Sequence, residues 1–200
     1  MKEYFEIMDV VSREVYNLEG AKTIEVEVCL DDGTVGTAQV SAKMVDGKDP
    51  SLAARNVDTE IAEALTGLNA LDQTYIDYLL MEIDGDNGKR LGTNATLAAS
   101  FAVAKAAAKS LGLSLYSYLG GIGTKQVPEI VEDTPQKRGQ KWYPTLTSLI
   151  DDIGKYEIIC GGNTEDIIMA HVAVAVGAKK MVARPNIKNE LIRIAEELEI

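Results

Sequence analysis

Histidine is nearly absent: His171 is the only one in 200 residues. A single imidazole rules out a His-based metal cluster and leaves no Ser–His or Cys–His triad with spare partners. Cysteine is almost as scarce. Cys29 and Cys160 each lie in a strand-like apolar run, and read as two buried thiols of a reducing cytosol. Cations are outnumbered, with 20 Lys and Arg against 31 Asp and Glu and a formal charge of −11. Nucleic acid and anionic membrane surfaces want clustered Lys and Arg, so neither is an expected partner. Long apolar runs are missing too. The longest, around Ile167 to Ala178, is too short to span a bilayer and contains His171. The opening MKEYFEIMDVV carries Glu3, Glu6 and Asp9 where a secretory segment needs apolar residues. A cytoplasmic location is expected.

What is present suits a folded chain of one domain or two small ones. Hydrophobic residues make up 46%, enough for a sizeable core. Residues 4 to 12 and 23 to 30 alternate like strands. In TIEVEVCL, Ile24, Val26 and Val28 face one way and Glu25 and Glu27 the other. Asp32-Gly33 separates that run from TVGTAQV, and Asp-Gly accepts positive φ at both positions. A three-stranded antiparallel meander is expected. Helices follow. One carries Val57, Ile61, Ala64 and Leu65 as an apolar stripe, and another starts at Asp72 in DQTYIDYLLMEI. In TNATLAASFAVAKAAAKSLG, Leu97, Phe101, Ala104, Ala108 and Leu111 fall on one helical face, with Gly112 as the stop.

Residues 122–141 hold two prolines, two glycines and many charges, and read as a linker. Beyond it the pattern alternates. KWYPT is a candidate strand, with Thr145 capping the helix TLTSLIDDIG. YEIIC and KKMVARP read as strands. TEDIIMAHVAVAVG and KNELIRIAEELE read as helices, the last with Leu191, Ile194 and Leu198 inward. Alternating β and α predicts a parallel sheet. The expected organisation is residues 1–121, a linker over 122–141, and a small α/β segment over 142–200.

The stretches SREVYNLEGAKTIEVEVCLDDGTVGTAQV and DQTYIDYLLMEIDGDNGKRLGTNATLAASFAVAKAAAKSLGLSLYSYLGG resemble, in order and spacing, the N-terminal domain of enolase. TLTSLIDDIGKYEIICGGNTEDIIMAHVAVAVGAKKMV and LIRIAEELE resemble the end of the enolase barrel. The resemblance implies an α+β front domain followed by two or three βα units of a truncated barrel. It also implies that the middle of the barrel, with its acidic metal ligands and glutamate acid, has no counterpart here. The family's catalytic lysine falls on Gly139, with Lys141 two residues off. Its later lysine falls on Val182. Its Ser-His-Arg-Ser-Gly turn falls on Ile158, Ile159, Cys160, Gly161 and Gly162. The serine loop is replaced by Ser41 to Asp46, and an N-terminal arginine by Glu19. Enolase chemistry needs a lysine base and a metal to stabilise the dianion. The resemblance therefore implies no catalytic residue, no metal and no cofactor, and dehydration of 2-phosphoglycerate is not expected. Because enolases are dimers, it also implies a homo-oligomer, with a dimer favoured.

Three functional readings remain, the third being regulation of full-length enolase through mixed dimers. In the first, the chain is a non-catalytic binding, regulatory or subunit protein, with a protein partner. In the second, it binds a small anionic metabolite, or acts on one, at a new site between its two parts. The anion candidates are Gly161, Gly162, Asn163 and Thr164, whose N–H groups sit at a strand-to-helix turn, joined by Arg184. Lys43 and Asp46 are further candidates. The plainer reading of GGNT is a turn capped by Asn163 or Thr164, with Glu165 and Asp166 favourable in the first turn. Asp84 and Asp86 faintly suggest a calcium loop but lack its final acid, so a helix-to-helix turn is expected. Lys137, Arg138 and Lys141 form a small basic cluster, read as a solvated loop or an arm for an acidic partner.

Overall fold

The computed structural model describes residues 4–45, 47–85, 89–123, 126–131, 143–153, 158–160 and 166–199. Its first half is built on the expected meander. Strands β1 (Ile7–Tyr16), β2 (Lys22–Leu30) and β3 (Val35–Val40) form an antiparallel sheet in the order β1-β2-β3. The register places Val10 opposite Val28 and Val26 opposite Ala38. Ile24, Val26 and Val28 are fully buried on the inner face. Glu25 and Glu27 lie on the outer face, where Arg13 reaches them at 3.3 and 3.0 Å. The β2–β3 turn differs from the expectation of two positive φ angles. Only Gly33 is left-handed, at φ +80°. The Leu30 N–H donates to Thr34 O, and the Asp32 carboxylate accepts the Thr34 N–H. This is a three-residue loop whose last residue alone needs glycine.

Short helices α1 (Ala42–Val45) and α2 (Pro50–Asn56), a π-helical turn (Val57–Ile61) and α3 (Ala62–Leu65) follow. Val57, Ile61 and Leu65 are buried as expected, while Ala64 is half-buried. Helix α4 (Gln73–Asp84) is capped by Asp72, whose side chain accepts the Tyr75 N–H. Helix α5 (Thr93–Ser110) ends as expected at Gly112, with the Gly112 and Leu113 N–H groups donating to Lys109 O and Ala108 O.

The expected single apolar face of α5 is too narrow. All its residues except Lys105, Lys109 and Ser110 are buried. It lies against β2 and β3 on one side, and α4, α6 (Leu115–Gly120) and α7 (Leu146–Ile153) also contact it. Alanine allows this approach on many sides. At Gly36 the backbones nearly touch: an added Cβ would sit 2.2 Å from Ala102 O and 2.4 Å from Ala106 N.

The second half forms a parallel sheet, but not with the strand expected first. Strands β4 (Glu129–Ile130), β5 (Ile158–Cys160) and β6 (Lys180–Val182) lie in the order β4-β6-β5. Strand β4 comes from within the stretch read as a linker. Of KWYPT, residues 143–145 make no strand; they lead straight into α7, and Lys141 and Trp142 lie outside the described residues. Pro144 offers no N–H to a ladder, whereas the Glu129 and Val131 N–H groups bond Lys179 O and Met181 O.

Helices α8 (Ile168–Ala175) and α9 (Pro185–Glu197) complete the chain. Helix α8 is buried on most sides and packs against α6 and α9. On α9, Leu191 and Ile194 are buried and Leu198 is half-buried. One hydrophobic cluster runs from Phe5 through α5 and α7 to Ile194. Among the described residues, no helix is long and apolar enough to cross a membrane.

Candidate functional site

The two halves meet along α5 and the free edge of β3. An edge strand exposes unpaired N–H and C=O groups, and here side chains take them up. Lys105 Nζ donates to Thr37 O at 2.9 Å and to both Asp166 oxygens, at 2.6 and 2.8 Å. Asp166 accepts the Gln39 N–H at 3.0 Å and the Ile168 N–H at 2.9 Å. One carboxylate therefore joins the start of α8 to α5 and β3. The pair is sheltered, with Asp166 only 5% exposed and Lys105 19%. Helix α8 starts at Ile168, whose N–H donates to Asp166; Asn163 and Thr164, the expected caps, lie outside the described residues.

A second junction ties α4 and α5 to α7. Asp77, fully buried, accepts Ser100 Oγ at 2.6 Å, Gln73 Nε2 at 2.8 Å and the Thr147 N–H at 2.7 Å. Ser100 Oγ in turn accepts the Leu146 N–H at 2.9 Å. The positive end of α7, where a bound anion would be favoured, is filled by the protein's own carboxylate. Thr145 stands at the cap of the same helix as expected, its Oγ1 accepting the Ser148 N–H at a long 3.5 Å, while Ser148 Oγ donates back to Thr145 O at 2.8 Å.

Beside the first junction, a cleft of about 540 Å³ opens between the end of α5 and helices α6, α8 and α9. It is lined by Lys105 and Lys109 of α5, Leu115 of α6, Ile167 and His171 at α8 and Glu197 of α9. His171 is 12% exposed and its ring lies parallel to that of Tyr116, at 6.1 Å and 8°. Its Nε2 lies 3.1 Å from Glu190 Oε1. A carboxylate only accepts, so the proton sits on Nε2 and leaves Nδ1 as a bare acceptor. Nδ1 is buried and has no partner among the described residues. Burial pushes the His171 pKa down, against the upward pull of Glu190.

Of the anion candidates, Gly161, Gly162, Asn163 and Thr164 lie outside the described residues, as do Asp46 and the side chain of Lys43. Arg184 is described, and its Nη1 donates to Glu19 Oε1 at 3.0 Å, joining the start of α9 to the β1–β2 turn. The residue that stands in place of the family's arginine thus has an arginine beside it. Asp84 accepts the Leu91 N–H at 2.5 Å across the turn between α4 and α5, while Asp86 lies outside the described residues. Val182, at the place of the family's later lysine, ends β6. Among the described residues, no group of three His, Cys, Asp or Glu side chains is placed to hold a metal ion.

Sequence reasoning passed over Lys105, Asp77, Lys109 and Glu197. Lys105 carried a readable sign, as a charge within an alanine run, and so did Asp77, beside Ile76 on the buried side of α4. A family model described as the enolase N-terminal domain matches residues 7–119, more than half of the chain. The protein belongs to the enolase family by its N-terminal domain.

Proposed function

We propose that the protein is a non-catalytic binding, regulatory or subunit protein built on the enolase N-terminal fold. It is in this sense a pseudoenzyme, working in the cytoplasm as a homo-oligomer, with a dimer favoured, and with a protein partner. One observation carries the reading. Three ionisable side chains at or beside the meeting of the two halves are held by internal partners: Lys105 by Asp166, Asp77 by the start of α7, and His171 by Glu190. A lysine base must lose its proton to act, and Lys105 is held between a carboxylate and a carbonyl. The places of both family lysines, Gly139 and Val182, carry no amine.

The test has two arms. The purified chain, supplied with magnesium and 2-phosphoglycerate, is expected to give no turnover above a blank, and enolase-level turnover would overturn the reading. Affinity capture with measured stoichiometry is expected to return a protein near one-to-one, and light scattering to return a dimer mass. Recovery of the chain alone as a monomer counts against the partner and oligomer.

A second reading, a small-ligand site between the halves, is favoured by the cleft beside His171. Its volume falls in the range of small-molecule pockets.

A further inference from the structure

The cleft lined by α5, α6, α8 and α9 has a charge layout that selects a ligand class. Its lining includes Lys105, but that ammonium is closed by Asp166 at 2.6 Å and by Thr37 O. A cation so enclosed has little left to offer a newcomer. Lys109 differs. One turn further along α5, it is exposed and, among the described residues, has only a long 3.5 Å contact to Val35 O and makes no ion pair. Glu197, at the end of α9, is exposed and likewise makes no ion pair. Among the described residues of the lining, Lys109 and Glu197 are thus a cation and a carboxylate without an ion-pair partner, contributed by different halves of the chain. Apolar groups line it as well: Ala108, Leu113, Leu115 and Ile167. Leu113 and Ile167 are 46% and 36% exposed, so their hydrocarbon is open to a ligand in the cleft.

A simple dianion suits this lining poorly, because Glu197 repels it and, among the described lining residues, Lys109 alone answers it without a counter-ion. A purely apolar ligand leaves both charges without partners. Resting on the small-ligand reading above, we propose that the cleft binds a small zwitterion with an apolar body, the chemical class of an apolar α-amino acid. Lys109 takes the carboxylate and Glu197 takes the ammonium. The hydrocarbon lies over Leu113, Leu115 and Ile167. Because the two charged ends belong to α5 and α9, the ligand bridges the two halves of the chain. Binding therefore stabilises their docking.

The experiment is a titration of the full chain, followed by amide chemical shifts, with leucine, leucinamide, N-acetylleucine and inorganic phosphate as separate probes. Leucine is expected to give saturable shifts at Lys109, Leu113, Ile167 and Glu197. Leucinamide lacks the carboxylate and N-acetylleucine the ammonium, and each is expected to bind at least about fivefold more weakly. Lys109→Met should remove the difference between leucine and leucinamide, and Glu197→Gln the difference between leucine and N-acetylleucine. Both residues are exposed, so the variants should keep the native circular dichroism spectrum. Saturable binding of phosphate or N-acetylleucine with leucine silent overturns the zwitterion assignment and leaves the small-ligand reading standing. Silence from all four probes overturns both. Equal affinity for the charged and capped probes overturns the roles given to Lys109 and Glu197.

Discussion

Asp166 ties the start of α8 to the front half. Its carboxylate answers Lys105, the Gln39 N–H on the edge of β3 and the first N–H of α8. Removing one partner of a sheltered pair leaves the other charge without its counter-ion, which costs up to about 3–5 kcal/mol. Lys105→Met and Asp166→Asn are each expected to lose stability of that order in urea unfolding. The double variant should lose less than the sum, because the second change removes the orphan left by the first. His171 gives a pH prediction. Burial holds its imidazole below the ordinary value of 6.5 more strongly than Glu190 raises it. The unfolded chain therefore takes up the proton at a higher pH than the folded chain. This contribution to stability is present above about pH 6.5, falls as pH drops toward the lowered folded value, and levels off below it. Urea midpoints should decline between about pH 7.5 and 5.5 more steeply in the parent than in His171→Gln. Equal slopes would exclude His171 as the source.

Helix α5 carries the packing at the scale of elements. It meets β3 so closely that Gly36 has no room for a methyl group, with Ala102 O and Ala106 N in the way. Both obstacles are backbone atoms, so neither can rotate aside. Gly36→Ala is expected to cost about 1–3 kcal/mol or more through the forced shift of α5. A small change in the denaturation midpoint would show that α5 can slide. Helix α7 depends on groups outside itself. Its first N–H groups are received by Asp77 and Ser100, both buried and both from the front half. Asp77→Ala leaves the Ser100 hydroxyl, the Gln73 amide and the Thr147 N–H without that acceptor, at a cost of about 1–3 kcal/mol. Hydrogen exchange should quicken in residues 146–153 before it does in β1 to β3. Uniform loss of protection would mean that α7 cannot open alone.

The described residues of both halves share a hydrophobic cluster that includes both sheets' covering helices. A second sheet with strands of two or three residues is far below the size that stands alone. It is held by α7, α8 and α9, which bury Leu146, Ile168, Val172 and Leu191 in the shared core. Unfolding is therefore expected as one transition, with far-UV circular dichroism and hydrogen-exchange midpoints coinciding. Two separated midpoints would mean that the second half melts off a stable front domain. The bridge proposed between Lys109 and Glu197 belongs to this scale, since it ties ligand binding to the docking of the halves.

By itself, the sequence determined the meander, the turn at Gly33, the long alanine-rich helix with its stop at Gly112, and the alternation that makes the second sheet parallel. Each rests on local periodicity or on turn chemistry read within a few residues. The matched motifs over most of the front half determined the family. Tertiary structure decided the rest. Strand β4 in the linker stretch is two residues long, too short to carry a period. Burial around nearly the whole of α5 depends on elements far away along the chain, as does the partner of each junction charge. Lys105 and Asp166 are 61 residues apart, and Asp77 and Thr147 are 70. No window of local pattern spans such distances. The cleft likewise exists only because α5, α6, α8 and α9 converge, so Lys109 and Glu197 gain their shared surroundings from the fold alone.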